Sequence, residues 1–267
     1  MRILWLTGIA LSLPAMAAAQ YGAPELGTGV PAEQYRVEVA GAIWNPGLSG
    51  IVSSQRLGII GSDVDFIDDL GFEQTSFTDL RIVLRPGKKS RFRIQYTPIQ
   101  YKAETSLKRD IVFNGQKFPL SLPVQSQLDW KVLRFGYEYD FFYHERGFVG
   151  VLLEARVTRM TAELSSPLQS ESTTVRAPLP ALGVVGRAYP IPELALNFEM
   201  SMFRVPEGSI RDIEANYYDW DIHGTVNVHR SVGLQVGWRR MTNFLIVEDD
   251  SADVKFQGLW FGAALRY

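Results

Sequence analysis

The sequence predicts an all-β protein: a closed antiparallel transmembrane β-barrel of about ten strands, with eight or twelve as alternatives. Three observations carry this expectation. Hydrophobic and polar residues alternate with period two from Gln34 onward, the alternating runs reach ten residues or more, and the connections switch between short turns and long polar stretches. Period-two alternation places successive side chains on opposite faces of a strand. A soluble sandwich alternates too, but its strands usually run to about five or six residues. A tilted membrane crossing takes about 9–11, and only a membrane gives a reason to sort short turns to one side and long loops to the other.

Composition alone points elsewhere. The chain has 267 residues, 27 Lys+Arg against 29 Asp+Glu, 46% hydrophobic residues and no cysteine. The apolar content excludes a disordered chain, and the absence of a basic excess excludes nucleic acid as the main partner. The mean hydropathy of -0.03 resembles that of a soluble globule. A barrel explains it, because only alternate residues face lipid and the rest average them out.

The N-terminus reads as a processing signal. Met1-Arg2 is a short positive start, Ile3 to Leu13 is apolar, Pro14 breaks the run, and Ala15 to Ala19 supplies small residues for cleavage. Residues 1–19 are therefore expected to be a signal peptide. Residues 20–33, with Pro24, Pro31 and Leu26-Gly27-Thr28-Gly29, are expected to form a flexible periplasmic segment, and residues 34–267 the barrel domain. No later run of 18 apolar residues provides a membrane helix.

The ten expected strands lie at about 34–45, 77–86, 90–103, 124–142, 147–163, 173–189, 193–205, 215–228, 232–246 and 254–267. Short turns are expected at 86–89, 144–147, 190–192 and 229–231, and long polar connections at 45–76, 103–124, 165–172, 206–213 and 247–252. Residues 50–66 leave room for one more hairpin, but 51–57 shows no clean lipid-facing set. Apolar positions jump from one parity to the other at Val132-Leu133 and after Pro98, where bulges are expected. Tyr137, Tyr139, Phe141, Phe142 and Tyr143 cluster before a short turn, as an interfacial aromatic girdle would.

The last strand runs Gly258-Leu259-Trp260-Phe261-Gly262-Ala263-Ala264-Leu265-Arg266-Tyr267. With Tyr267 terminal, Leu265 two before it and Gly262 five before it, this resembles the assembly signal of bacterial outer-membrane β-barrel proteins. Trp260 departs from that pattern, which usually has a polar residue there. Over residues 34–267 the chain resembles that family. The resemblance implies a Gram-negative outer-membrane location, contact with outer-membrane lipid and lipopolysaccharide, and the barrel-assembly machinery as a partner during biogenesis.

The inward set is strongly charged. It is expected to comprise basic Arg36, Arg81, Arg85, Arg91, Arg93, Lys131, Arg134, Arg156, Arg187, Arg239 and Arg266, against acidic Glu38, Asp79, Asp129, Glu138, Asp140, Glu154, Glu199, Asp219 and Asp221. Charges in a low-dielectric wall need partners or water. Pairing across the 229–231 turn sets Asp221 opposite Arg239 and Thr225 opposite Gln235, so Asp221, Arg239, Glu199, Glu154, Arg134 and Arg156 are expected to form lumen ion pairs. The balance of signs argues against an ion-selective pore, which favours rings of one sign.

Chemistry is sparse. His144 and His229 fall at turns. His223 shares a face with Asp219 and Asp221 and is the one candidate general base, although a mid-strand position suits structural packing better. Asp63, Asp65, Asp68 and Asp69 form a loose acidic loop cluster best read as solvated. No metal-ligand spacing and no cofactor motif is present. The expectation is a non-enzymatic structural or surface-interaction barrel. The alternatives are a narrow, porin-like pore for small solutes and a membrane-embedded hydrolase of lipid, lipopolysaccharide or peptide using His223.

Overall fold

The computed structural model describes residues 31–54, 61–210, 213–247 and 250–267. The expected signal peptide and residues 20–30 lie outside these. A short 3-10 turn, η1 (Pro31–Glu33), precedes thirteen strands: β1 (Val37–Ser54), β2 (Val64–Asp65), β3 (Phe77–Leu84), β4 (Ser90–Ser106), β5 (Ile111–Phe113), β6 (Gln116–Phe118), β7 (Pro123–His144), β8 (Gly147–Ser165), β9 (Ser170–Ile191), β10 (Leu194–Ile210), β11 (Ile213–His229), β12 (Val232–Val247) and β13 (Asp250–Arg266). Ten of them, all but β2, β5 and β6, form one antiparallel sheet in chain order. β13 pairs with β1 from Glu38↔Arg266 to Ser54↔Asp250, so the sheet has no open edge. In a bilayer that closure is obligatory, since an unpaired backbone group in hydrocarbon costs several kcal/mol.

The outer face carries the apolar half of the alternation. Ile43, Phe92, Phe135, Leu153, Leu182, Leu196, Ile222, Leu234, Phe261 and Leu265 are all exposed. Tyr139, Phe141 and Phe142 are also exposed, next to the short β7–β8 turn, where a girdle was expected.

The inside has two zones. Toward the long-loop end, a buried apolar cluster includes Trp44, Phe66, Phe72, Phe77, Ile99, Tyr101, Phe113, Phe118, Leu128, Trp130 and Phe256. Two connections build much of it. Residues 61–76 add β2 to β1 through Val52↔Val64 and fold Phe66 and Phe72 inward. Residues 107–122 form the β5–β6 hairpin and bury Ile111, Phe113 and Phe118. Arg109 joins the two connections, its Nε donating to Asp69 Oδ1 at 3.0 Å and its Nη2 to Oδ2 at 2.6 Å. Burial raises the Asp69 carboxyl, but the Arg109 bonds outweigh it and hold the group below its ordinary value. Toward the short-turn end, charged side chains replace the apolar ones.

The ten-strand expectation holds: β1 runs on to Ser54 and β2 is two residues long, so the described part of 50–66 adds no spanning hairpin. Three expectations need correction. The connections at 165–172, 206–213 and 247–252 are short, because β8 to β13 continue pairing well past the expected strand ends. No bulge occurs at Val132-Leu133 or after Pro98; the ladder runs unbroken through Thr97↔Val132 and Pro98↔Lys131. What changes there is the lumen: Val124, Leu128, Trp130 and Val132 point into its apolar zone, and Arg134, Glu138 and Asp140 point into its charged zone. Finally, Arg36 and Lys131 are exposed and Asp129 is only half-buried, so these three do not belong to the lumen set.

Candidate functional site

The charged zone holds nine arginines (Arg81, Arg85, Arg91, Arg93, Arg134, Arg156, Arg187, Arg239, Arg266) and nine carboxylates (Glu33, Glu38, Asp79, Glu138, Asp140, Glu154, Glu199, Asp219, Asp221). Strand alternation brings them together, since each occupies an inward position on its strand or, for Glu33 and Arg85, at its threshold.

Asp219 on β11 is the hub. Arg239 of β12 grips it with two bonds, Nε at 3.0 Å and Nη2 at 2.7 Å, and reaches Asp79 of β3 at 3.2 Å. Arg134 of β7 lies 3.1 Å from Asp219 and makes a second two-bond pair with Glu154 of β8, at 3.0 and 2.9 Å. Arg156 adds a 2.7 Å bond to Glu154 and stacks its guanidinium 3.6 Å from the Tyr217 ring centroid. Arg134 and Arg93 both contact Glu199, at 3.4 and 2.5 Å. Two-bond guanidinium–carboxylate pairs are the strong form of charge-assisted hydrogen bond. Their planar geometry fixes the spacing of the strands that carry them.

Asp221 behaves differently from expectation. It stands opposite Arg239 in register, but its carboxylate bonds elsewhere. His223 Nδ1 lies 2.5 Å from Oδ1, and Trp260 Nε1 donates to Oδ2 at 2.6 Å. With Nδ1–H donating, the outer nitrogen Nε2 carries a lone pair, and it has no partner among the described residues. His223 is 5% exposed and packs on the Trp260 ring, centroids 4.9 Å apart.

A second site lies at the short-turn mouth, and no pattern of the sequence pointed to it. Glu33, expected in a flexible segment, is fully buried. Arg85 bonds its side chain at 2.9 Å, Arg91 sits 3.3 Å away, and Arg187 and the Tyr189 hydroxyl bond its other oxygen. Ala32 packs on Tyr189 and Ala195. Residues 31–33 therefore cork the lumen from below. Alternation could not reveal this, because Glu33 precedes the first strand.

Burial by itself would raise the Glu33 carboxyl. The cations Arg187, Arg91 and Arg85, with the Tyr189 hydroxyl, outweigh it and hold the group well below the usual carboxylate range. A depressed carboxyl contributes stability that is fully present above its ordinary value of 4.5 and is lost as pH falls through its folded value. Between pH 6 and pH 3 the thermal midpoint of the wild type is thus expected to fall further than that of Glu33→Gln. Equal falls in the two proteins would contradict the assignment.

The cavities inside this zone are small. One of about 40 Å³ is lined by Asp79, Arg134, Glu199, Asp219, Asp221 and Arg239, and another of about 20 Å³ by Arg81, Arg91, Arg93 and His223, among others. At about 10–15 Å³ per water, they hold a few waters. No group of three His, Cys, Asp or Glu able to hold a metal occurs among the described residues. Asp65 instead accepts from the backbone of Ile67 and Asp68. Of the expected assembly residues, Leu265 and Tyr267 are exposed. At Gly262, which faces Ala42 and Gln235, a Cβ would stand 2.7 Å from the Gly41 carbonyl oxygen. Close strand approach therefore requires glycine there.

A closed ten-stranded antiparallel wall, apolar outside and charged within, is the fold of an outer-membrane β-barrel. One solved structure above a TM-score of 0.5 has the same fold. The outer-membrane protease OmpT from Escherichia coli superposes with a TM-score of 0.57 at 10% identity, covering 86% of this chain and 97% of that one. Ail, the attachment invasion locus protein of Yersinia pestis, gives 0.36 at 12% identity, covering 87% and 99%. Neisserial surface protein A gives 0.36 at 13%, covering 86% and 97%. At 10% identity the likeness to OmpT is one of fold. No protein-family model and no curated protein sequence matches the chain.

Proposed function

We propose that the protein is a non-conducting barrel of the Gram-negative outer membrane, a structural or surface-interaction barrel that works through its wall and its long-loop end. One observation carries this reading: the lumen is filled in series by the Glu33 cork, the nine-on-nine charge network and the aromatic cluster. Ion pairing across the lumen ties opposite walls together, as Arg93–Glu199 and Arg134–Asp219 do, and leaves no row of free charges to guide a solute. Vesicles loaded with a small sugar and carrying the folded barrel are expected to retain it as protein-free vesicles do; release in proportion to barrel content would favour the pore.

The hydrolase alternative requires His223 Nε2 to meet a substrate. That nitrogen sits in a buried ring of Trp260 and lumen arginines beside a 20 Å³ cavity, far too small for lipid or peptide. The Asp221–His223–Trp260 chain reads better as wall packing that ties β11 to β13 across β12. Purified His223→Ala is expected to show the same lipid and peptide turnover as the wild type and a lower unfolding midpoint. Lost turnover with unchanged stability would reverse that assignment.

A further inference from the structure

On the outer face, the apolar runs of β7, β8 and β9 end at one register row. Lys131 pairs with Arg159, and Arg159 with Arg176; all three residues are exposed. Like charges directly opposite across strands destabilise a sheet. Lys131 has Asp129 at 3.3 Å, whereas Arg159 and Arg176 have no ion-pair or hydrogen-bond partner among the described residues. Exposed Arg204 on β10 lies lower, at the side of the groove described next. Such a cluster at the edge of an apolar band is unfavourable unless an anion sits on it.

Below the row, across β4 and β7 to β10, lies a groove of about 1100 Å³, lined by Ile94, Phe135, Leu153, Ala155, Leu182 and Met202. The Phe135–Ala155–Pro180 row is four residues along from the basic one, or ~13 Å at about 3.3 Å per residue. The wall thus presents cations on the half nearer the long loops and an apolar groove below them, from mid-strand toward the short turns.

We propose that this wall binds a phosphorylated, multiply acylated lipid of the outer leaflet, its phosphate on Lys131, Arg159 and Arg176 and an acyl chain in the groove. Guanidinium groups hold phosphate through paired hydrogen bonds, and the phosphate removes the repulsion among the three cations. The inference rests on the outer-membrane reading under Proposed function, in which short turns face the periplasm and the long loops face out. It does not depend on the lumen being closed, so a conducting barrel would leave it standing, and a missing lipid site would leave the closed lumen standing.

The test uses the folded full-length mature protein in detergent micelles, with bis-phosphorylated lipid A, its dephosphorylated form and inorganic phosphate as probes, read by native mass spectrometry. Bis-phosphorylated lipid A is expected to bind at least tenfold more tightly to the wild type than to the R159Q/R176Q double variant. Arg230→Gln, an exposed turn substitution, should bind like the wild type. Without lipid the double variant should unfold at the same or a higher temperature, since a repulsion has been removed. Ala155→Trp, which fills the groove and keeps the cations, should also weaken binding. Equal binding to the double variant, or equal binding of dephosphorylated lipid A, would overturn the proposal. Competition by inorganic phosphate at the same concentration as lipid A would do so too, by assigning the row to a soluble anion.

Discussion

Asp219→Ala is expected to lower barrel stability by about 3–5 kcal/mol, the range found when one partner of a buried charge pair is removed. Three arginines lose their shared carboxylate at once: Arg239, Arg134 and Arg156. Arg134 and Arg156 keep Glu154, and Arg239 keeps Asp79, so the loss should stay below three separate pair deletions. Urea unfolding of the barrel in micelles measures it. The double variant Asp219→Leu/Arg239→Met should recover a large part of the deficit, because replacing both partners by apolar groups removes the unpaired charge. A single variant within about 1 kcal/mol of the wild type, the scale of an exposed pair, would mean that water reaches this network freely.

Phe256→Ala is the second large expectation, about 3–5 kcal/mol as for other buried phenylalanines. The ring is fully buried and meets three others: Trp130 edge-on at 5.4 Å, Trp44 at 6.1 Å and Tyr101 at 6.3 Å. It lies on β13, the three rings it meets lie on β1, β4 and β7, and the cluster they belong to takes in both inserted connections and the long-loop end of β8. Truncation should therefore loosen residues 61–76 and 107–122 before it opens the wall. Hydrogen exchange should show faster amide exchange in those two segments and little change in β9. Uniform acceleration would contradict a separate core at the long-loop end.

How much of this was legible in the sequence depends on which face a residue occupies. Strand number and order were readable, because lipid on one face enforces period-two alternation over long runs, and Asp221 opposite Arg239 followed from the turn at 229–231. The inside was harder. A parity jump at Val132-Leu133 has two physical causes, a slipped strand or a lumen that changes from apolar to charged, and periodicity cannot separate them. Choosing the slip placed Lys131 inside; the unbroken ladder places it outside, beside Arg159. Long-loop lengths were overread because polar residues continue the hairpins, where the ladder needs no apolar pattern. Glu33 was invisible because its partners Arg85, Arg91 and Arg187 lie 52 to 154 residues away. The lumen residues could be named, but not their pairing. Asp221 bonds His223 and Trp260 rather than the arginine it faces, and Arg239 reaches diagonally to Asp219 two residues along β11.

The central claim of the proposed function is that the lumen is closed from end to end. Single-channel recording in a planar bilayer tests it, with insertion verified by heat-modifiable migration of the recovered protein. The structure predicts a flat trace for the wild type across both signs of voltage. Reproducible unitary steps from folded wild-type barrels would contradict it, because they would require a continuous water path through the Glu33 cork, the charge network and the aromatic cluster.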